Sequence, residues 1–235
     1  MSPSKLHVFL VVLALQAGGG TGQSNAFSPE KAEQLRKYVE AMRVCRNNIG
    51  VSLTLVKGGR TVFAEGFGYR DLEKKLPVEN STRIAIGTLT MGFTATLAAD
   101  AVSKGQLKWD QPLREILGKD FRLQDDFRSE KATIRDLLSH RLGMPTYNKV
   151  SLAALNFSRE ELCMKRLQHF PVNYDFRSKA EYSTYPYVLA GYVTEKLRGK
   201  TWEDDVTDTL FKALGTWADK PLRATKLNSF IYWML

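Results

Sequence analysis

At 235 residues, with 43% hydrophobic and 25% charged side chains, the chain has the composition of a folded globular protein and excludes a disordered or fibrous one. That length suits one domain or two closely packed lobes with a sizeable core. The net charge is +9, but the 34 Lys and Arg are scattered among 25 Asp and Glu, with no basic stripe interleaved with aromatics, so nucleic acid is excluded as a partner.

The N-terminus comes first. Lys5 precedes the apolar run Val8-Phe-Leu-Val-Val-Leu-Ala-Leu15, and Gly18-Gly-Gly-Thr-Gly22 follows. A basic start, a short apolar run and small residues predict a secretory signal peptide over residues 1–22, cleaved between Gly20 and Gln23. A buried N-terminal helix is the alternative, but the glycines would end it without an amphipathic face. The run is too short to span a bilayer comfortably. No membrane span is predicted elsewhere, and residues 23–235 are expected to be a secreted, extracellular domain.

Ser28-Pro29 predicts a helix start, a cap followed by a proline at the first helical position. Ala32, Leu35, Val39 and Met42 continue it at helical spacing. Val51, Leu53 and Leu55 then alternate with Ser52 and Thr54, Lys57-Gly-Gly-Arg60 turns, and Thr61–Gly68 returns, which predicts a hairpin. Residues 71–81 read as a polar connection. From Thr88 the chain reads as helix, with a small, apolar run to Val102 and an end at Lys104-Gly105. Thr133 is expected to cap a short helix to His140. Ser158-Arg-Glu-Glu161 is a capping-box pattern. Tyr187–Leu197 closes at Gly199, and a last helix carries Trp202, Val206 and Leu210 and stops at Gly215.

Export shapes the reading of other residues. Asn80-Ser-Thr82 and Asn156-Phe-Ser158 are glycosylation sequons. Cys45 and Cys163, the two cysteines, either bridge in an oxidising compartment or stay buried free thiols. The basic balance is compatible with an anionic extracellular matrix or polysaccharide as partner, although a solvated mixed surface accounts for it as well. His140 and His169 do not form a ligand-spaced cluster, so neither a metal nor a cofactor is expected.

Four stretches in order carry a family resemblance. They are Gly87-Thr-Leu-Thr-Met91-Gly-Phe-Thr-Ala, Gly105–Pro112, Thr133–His140 with Gly143-Met-Pro145, and Tyr182-Ser-Thr184 followed by Tyr187–Lys200. Together they resemble the serine β-lactamase and penicillin-binding-protein family, in its class C β-lactamase and DD-peptidase branch. The resemblance covers residues 49 to 215. It implies an α+β fold, with an antiparallel sheet flanked by helices and a mainly helical lobe. The family's last strands would be missing from this chain.

The resemblance also implies acyl transfer by a serine, a lysine one turn later on the same helix face, a Tyr-x-Asn element and a Lys-Thr-Gly strand. At the nucleophile position stands Thr88, and at the lysine position Met91, whose thioether cannot take a proton. Tyr182 remains, but Thr184 replaces the asparagine. No Lys-Thr-Gly triplet follows Gly215. Thr88 is therefore read as a helix cap, Met91 as core filling and Tyr182 as a packed aromatic with a bonded hydroxyl. The reading is a catalytically inactive secreted member. Secreted animal members of the family occur in calcified shell matrix, so a binding or structural matrix role is implied by resemblance. Two alternatives stay open: a weak esterase or amidase using Thr88 and Tyr182, and a truncated isoform of a longer family member. The apolar end, Phe230–Leu235, is expected to pack on the exposed sheet, within the chain or from a second copy, unless it is a disordered end left by truncation.

Overall fold

A computed structural model describes the backbone of Val8–Leu15 and residues 27–84, 86–146 and 158–215. The chain divides into two compact units, residues 1–86 and 87–235. In the first unit, helix α1 (Pro29–Cys45) begins as the sequence predicts: Ser28 Oγ accepts from Lys31 N at 3.2 Å, with proline in the first turn. Strands β2 (Gly50–Lys57) and β3 (Arg60–Asp71) form the expected antiparallel hairpin, with Lys57 opposite Arg60. Gly58 and Gly59 both have positive φ, 56° and 73°. A two-residue turn whose twist suits a hairpin needs that geometry at both positions.

One face of the hairpin buries Leu53, Leu55 and Phe63, and Phe27, Ala32, Leu35 and Val39 pack on them. Phe27 meets Phe63 edge to face at 5.7 Å. Arg36 of α1 reaches Glu65 of β3 through its Nε and Nη2, at 2.8 and 2.5 Å. A short strand β4 (Leu76–Pro77) adds to the end of β3. Gly66 cannot be replaced cheaply there, since a Cβ would lie 2.2 Å from the Val78 carbonyl oxygen.

The sheet has one strand that the sequence did not lead us to expect. Val8–Leu15, read above as the apolar part of a signal peptide, is strand β1 and pairs parallel to β2 from Val8↔Gly50 to Leu15↔Lys57. The order is β1-β2-β3-β4, so the sheet is mixed. Parallel neighbours need a crossover, and α1 supplies it. The edge of β2 that the sequence left open is thus filled from the N-terminal side. Phe230–Leu235, the other proposed occupant, lies outside the described residues, as do the residues between Gly20 and Gln23.

The second unit is helical. Its elements are α2 (Thr90–Ser103), α3 (Leu113–Leu117), α4 (Asp126–Lys131), α5 (Ile134–Leu138), α6 (Arg159–Glu161), α7 (Tyr185–Arg198) and α8 (Trp202–Val206). A single wider π turn extends α6 to Arg166 and another extends α8 to Phe211. Thr133 and Asp136 make the full reciprocal capping box of α5, while Ser158 supplies one half of one, accepting from Glu161 N at 3.0 Å. Gly199, at φ 64°, ends α7. One core joins these helices: Leu97, Ala98 and Ala101 of α2 meet Leu113, Phe121, Ile134, Leu137, Leu162, Val188, Leu189 and Val193.

Both cysteines are free thiols: Cys45 is exposed and Cys163 buried. Burial pushes the Cys163 thiol far above its ordinary pKa, and thiol exchange needs the thiolate. Asn80 sits in an exposed turn, while Asn156 lies outside the described residues. No described helix is long and apolar enough to cross a membrane.

Candidate functional site

Gly87 opens the first element of the site. It is buried with φ 57°, a conformation that glycine adopts without a Cβ penalty. Residues 87–89 then make one 3-10 turn, and α2 begins only at Thr90. Thr88 therefore sits inside this turn and is exposed. It is not the cap of α2: the residue before the helix is Leu89, already in helical backbone conformation, with no side-chain capping bond. The family-like spacing survives as geometry, with Met91 three residues beyond Thr88. Met91 is half-buried and packs on the helical core.

The second element is the turn before α7. Tyr182 is 46% exposed, Ser183 fully buried and Thr184 only 8% exposed. Ser183 Oγ donates to the Pro145 carbonyl at 3.1 Å, and Thr146 Oγ1 donates to the Tyr182 carbonyl. The Thr184 carbonyl accepts from Tyr187 N and Val188 N, at 3.1 and 3.2 Å, starting α7. The expectation of a packed Tyr182 needs correcting, because nearly half of the side chain faces solvent.

The third element is the loop after α5, which the sequence reading passed over. His140 has φ 58°. Its carbonyl accepts from Glu181 N at 2.9 Å, and its Nδ1 accepts from Ser183 N at 3.4 Å. Its ring lies 5.1 Å from the Tyr182 ring and 5.1 Å from that of Tyr187. Tyr187 Oη in turn donates to the Leu138 carbonyl at 2.9 Å. His140 thus holds the Glu181–Thr184 segment through its backbone carbonyl, its ring nitrogen and a ring contact. The sequence signal was available: His140 ends the Thr133–His140 stretch.

The loop itself is held from below. Asp136, buried, accepts from Thr133 N and Thr133 Oγ1 and from Arg177 Nε and Nη2, all between 2.7 and 3.0 Å. Gly143 has φ 72°, and a Cβ on it would meet the Tyr174 carbonyl oxygen at 2.2 Å. Helices α2 and α7, which carry the first two elements, pack on each other. Arg198 at the end of α7 bonds Asp100 Oδ2 of α2 at 2.6 Å.

Burial lowers the pKa of His140. An Nδ1 that accepts an N–H carries no proton, so the neutral ring has its proton on Nε2. The unfolded ring takes up a proton near its ordinary value of about 6.5, while the folded ring resists until lower pH. Stability is therefore complete above the unfolded value and is lost as pH falls below it. Thermal midpoints should be level above about pH 7 and fall as pH drops through about 6. In His140→Asn, which keeps a residue tolerant of positive φ, this slope should shrink. An equal slope in both proteins would remove His140 as its cause.

Chemically, the site offers two hydroxyls accessible to solvent, Thr88 and Tyr182, and a neutral imidazole held against the second. The position one turn after Thr88 offers a thioether, a weak acceptor and no base. Among the described residues, no group of three or more His, Cys, Asp or Glu could hold a metal ion.

Comparison with known proteins gives this arrangement its context. The profile of the beta-lactamase family matches residues 35–220. Unguisins hydrolase of Aspergillus violaceofuscus is 26% identical over 188 residues, covering 77% of this chain and 33% of the relative. Protein flp of Staphylococcus aureus is 25% identical over 171 residues, covering 70% and 33%. Among solved structures, a penicillin-binding protein homologue from Pyrococcus abyssi aligns with a TM-score of 0.66 and 26% identity, over 78% of this chain and 43% of that one. D-amino acid amidase from Ochrobactrum anthropi aligns with a TM-score of 0.65 and 26% identity, over 78% and 50%. The chain spans about a third of the length of these curated relatives.

Proposed function

The chain belongs to the beta-lactamase family, and from that premise we propose that it is a secreted member that has given up acyl transfer and acts outside the cell by binding or as a structural matrix component. One observation carries the reading. On the turn where the family resemblance puts nucleophile and base, this chain has Thr88 and Met91, and Met91 is half-buried against the helical core. A hydroxyl attacks a carbonyl only if a nearby group takes its proton. A thioether cannot do so. Burying a methionine is favourable where an unpaired ammonium would be costly. Thr184 adds to the loss, since it is buried at the head of α7 and lacks the amide's paired donor and acceptor.

A second reading has its own support. Thr88 and Tyr182 both reach solvent, and the relatives include a hydrolase and an amidase by name. On that reading the protein is a weak esterase or amidase. The two part in one assay, hydrolysis of an activated ester by the purified protein and by Thr88→Ala. The proposal expects equal, background rates. A rate that drops by tenfold or more in Thr88→Ala would establish Thr88 as a nucleophile and overturn it.

A further inference from the structure

The same eight residues are a signal-peptide core by composition and a sheet strand by structure. In the β2–β3 hairpin, Tyr69 N donates to the Ile49 carbonyl at 2.8 Å. Residues 49 and 69 are therefore a bonded pair, and by the register so are Val51 with Phe67 and Leu53 with Glu65. Bonded pairs alternate along an antiparallel ladder. The N–H and C=O groups of Gly50, Ser52 and Thr54 consequently point away from β3. On that side lies β1, with Val8 at Gly50, Leu10 at Ser52 and Val12 at Thr54.

We propose that β1 is a removable cap on the edge of β2, and that its cleavage turns this edge into a site where a second copy of the chain pairs through its own β2. The proposal rests on the export reading, because only cleavage between Gly20 and Gln23 removes β1 from the finished protein. Among the described residues, loss of β1 leaves a row of unpaired peptide groups along β2, the template for edge-to-edge association. Natural edges are guarded by charge, proline or bulges. From Gly50 to Val56, β2 has neither a charged residue nor a proline, and its one register shift falls at Leu55/Val56. Its first charge is Lys57, at the end. Antiparallel pairing of two β2 strands puts the two lysines at opposite ends, whereas a parallel pair would set them side by side and repel. That charge placement selects an antiparallel, two-fold pair of copies.

Three proteins test this: residues 1–235 made without export, residues 23–235, and residues 1–235 with Val11→Pro, which deletes a backbone donor in the middle of β1. Light scattering gives the mass across a concentration series, and hydrogen exchange follows the amides of Ser52 and Thr54. Slow exchange at Leu97 and Ala98, in the helical core, confirms that each protein is folded. The expected result is a monomer for the capped control 1–235, with Ser52 and Thr54 protected. The other two should show twice that mass at high concentration, and on dilution should lose both the doubled mass and the protection. Folded monomers with fast-exchanging Ser52 and Thr54 in the 23–235 chain would overturn the proposal. So would an unchanged Val11→Pro protein, or growth to large aggregates in place of a dimer. The export reading is judged apart, by sequencing the N-terminus of the protein collected outside cells. A first residue between Gly20 and Gln23 supports it, and an intact Met1 removes it without altering the comparison of the three proteins.

Discussion

Replacing Leu97 with alanine is expected to destabilise the helical unit by about 3–4 kcal/mol, in the middle of the range for buried leucines. Leu97 is fully buried in the middle of α2. The other buried residues of α2 are Thr90, Thr94, Ala98 and Ala101. Small neighbours on a rigid helix cannot expand into the space that the leucine leaves, so the cavity stays open. In a unit of this size, each kcal/mol moves the thermal midpoint by about 2–4 °C. A fall of roughly 10 °C is therefore expected in circular dichroism melts. Leu89→Ala makes the contrast: Leu89 is 59% exposed, and its loss should cost no more than about 0.5 kcal/mol. Similar midpoints for the two variants would mean that α2 is not an interior helix.

The second large effect is expected at Arg198. Its guanidinium is nearly buried and bonds Asp205 through both carboxylate oxygens at 3.0 Å, and Asp100 at 2.6 Å. It ties the end of α7 to α2 and α8 at once. Asp205, also buried, keeps Lys200 at 3.0 Å and Thr209 Oγ1 at 2.9 Å when the arginine is gone. Arg198→Met should then cost about 3 kcal/mol, the lower end for breaking a buried pair, because the stranded carboxylate retains some compensation. Combining Arg198→Met with Asp205→Leu removes both buried charges. It should recover part of the loss, since replacing a buried pair by apolar residues is often neutral. Further loss in the double variant would show that packing, not the unpaired charge, sets the cost.

How far the sequence revealed the molecule varies with the range of the forces involved. The hairpin was legible because Gly58-Gly59 and the alternation of Val51, Leu53 and Leu55 act locally. So was α1, whose start is set by Ser28 and Pro29. The end of α7 at Gly199 was equally local, and its beginning two residues earlier than the periodicity suggested follows from Pro186, a residue suited to a first turn. Thr88 was misread as a cap because a Thr before an apolar run has the right chemistry. The preceding Gly87, with positive φ, sets up a 3-10 turn that only the backbone reveals. His140 was missed since its role depends on residues more than forty positions away, Glu181 to Tyr187. The strand Val8–Leu15 was unreadable as a strand for the same reason. A run of apolar residues serves a translocation signal and a sheet equally well, and its parallel partner lies beyond a helical crossover.

The proposed loss of acyl transfer means that no acyl-enzyme should form at Thr88. Incubating the protein with a penicillin-like β-lactam, then recording its intact mass, tests this most directly, with Thr88→Ser/Met91→Lys alongside. The wild-type mass is expected to be unchanged, because Met91 cannot take the proton of Thr88. The double variant is expected to be unchanged too, because Thr184 still stands where the family resemblance puts an amide. A covalent adduct of one probe molecule on the wild-type peptide that contains Thr88 would overturn the loss of acyl transfer.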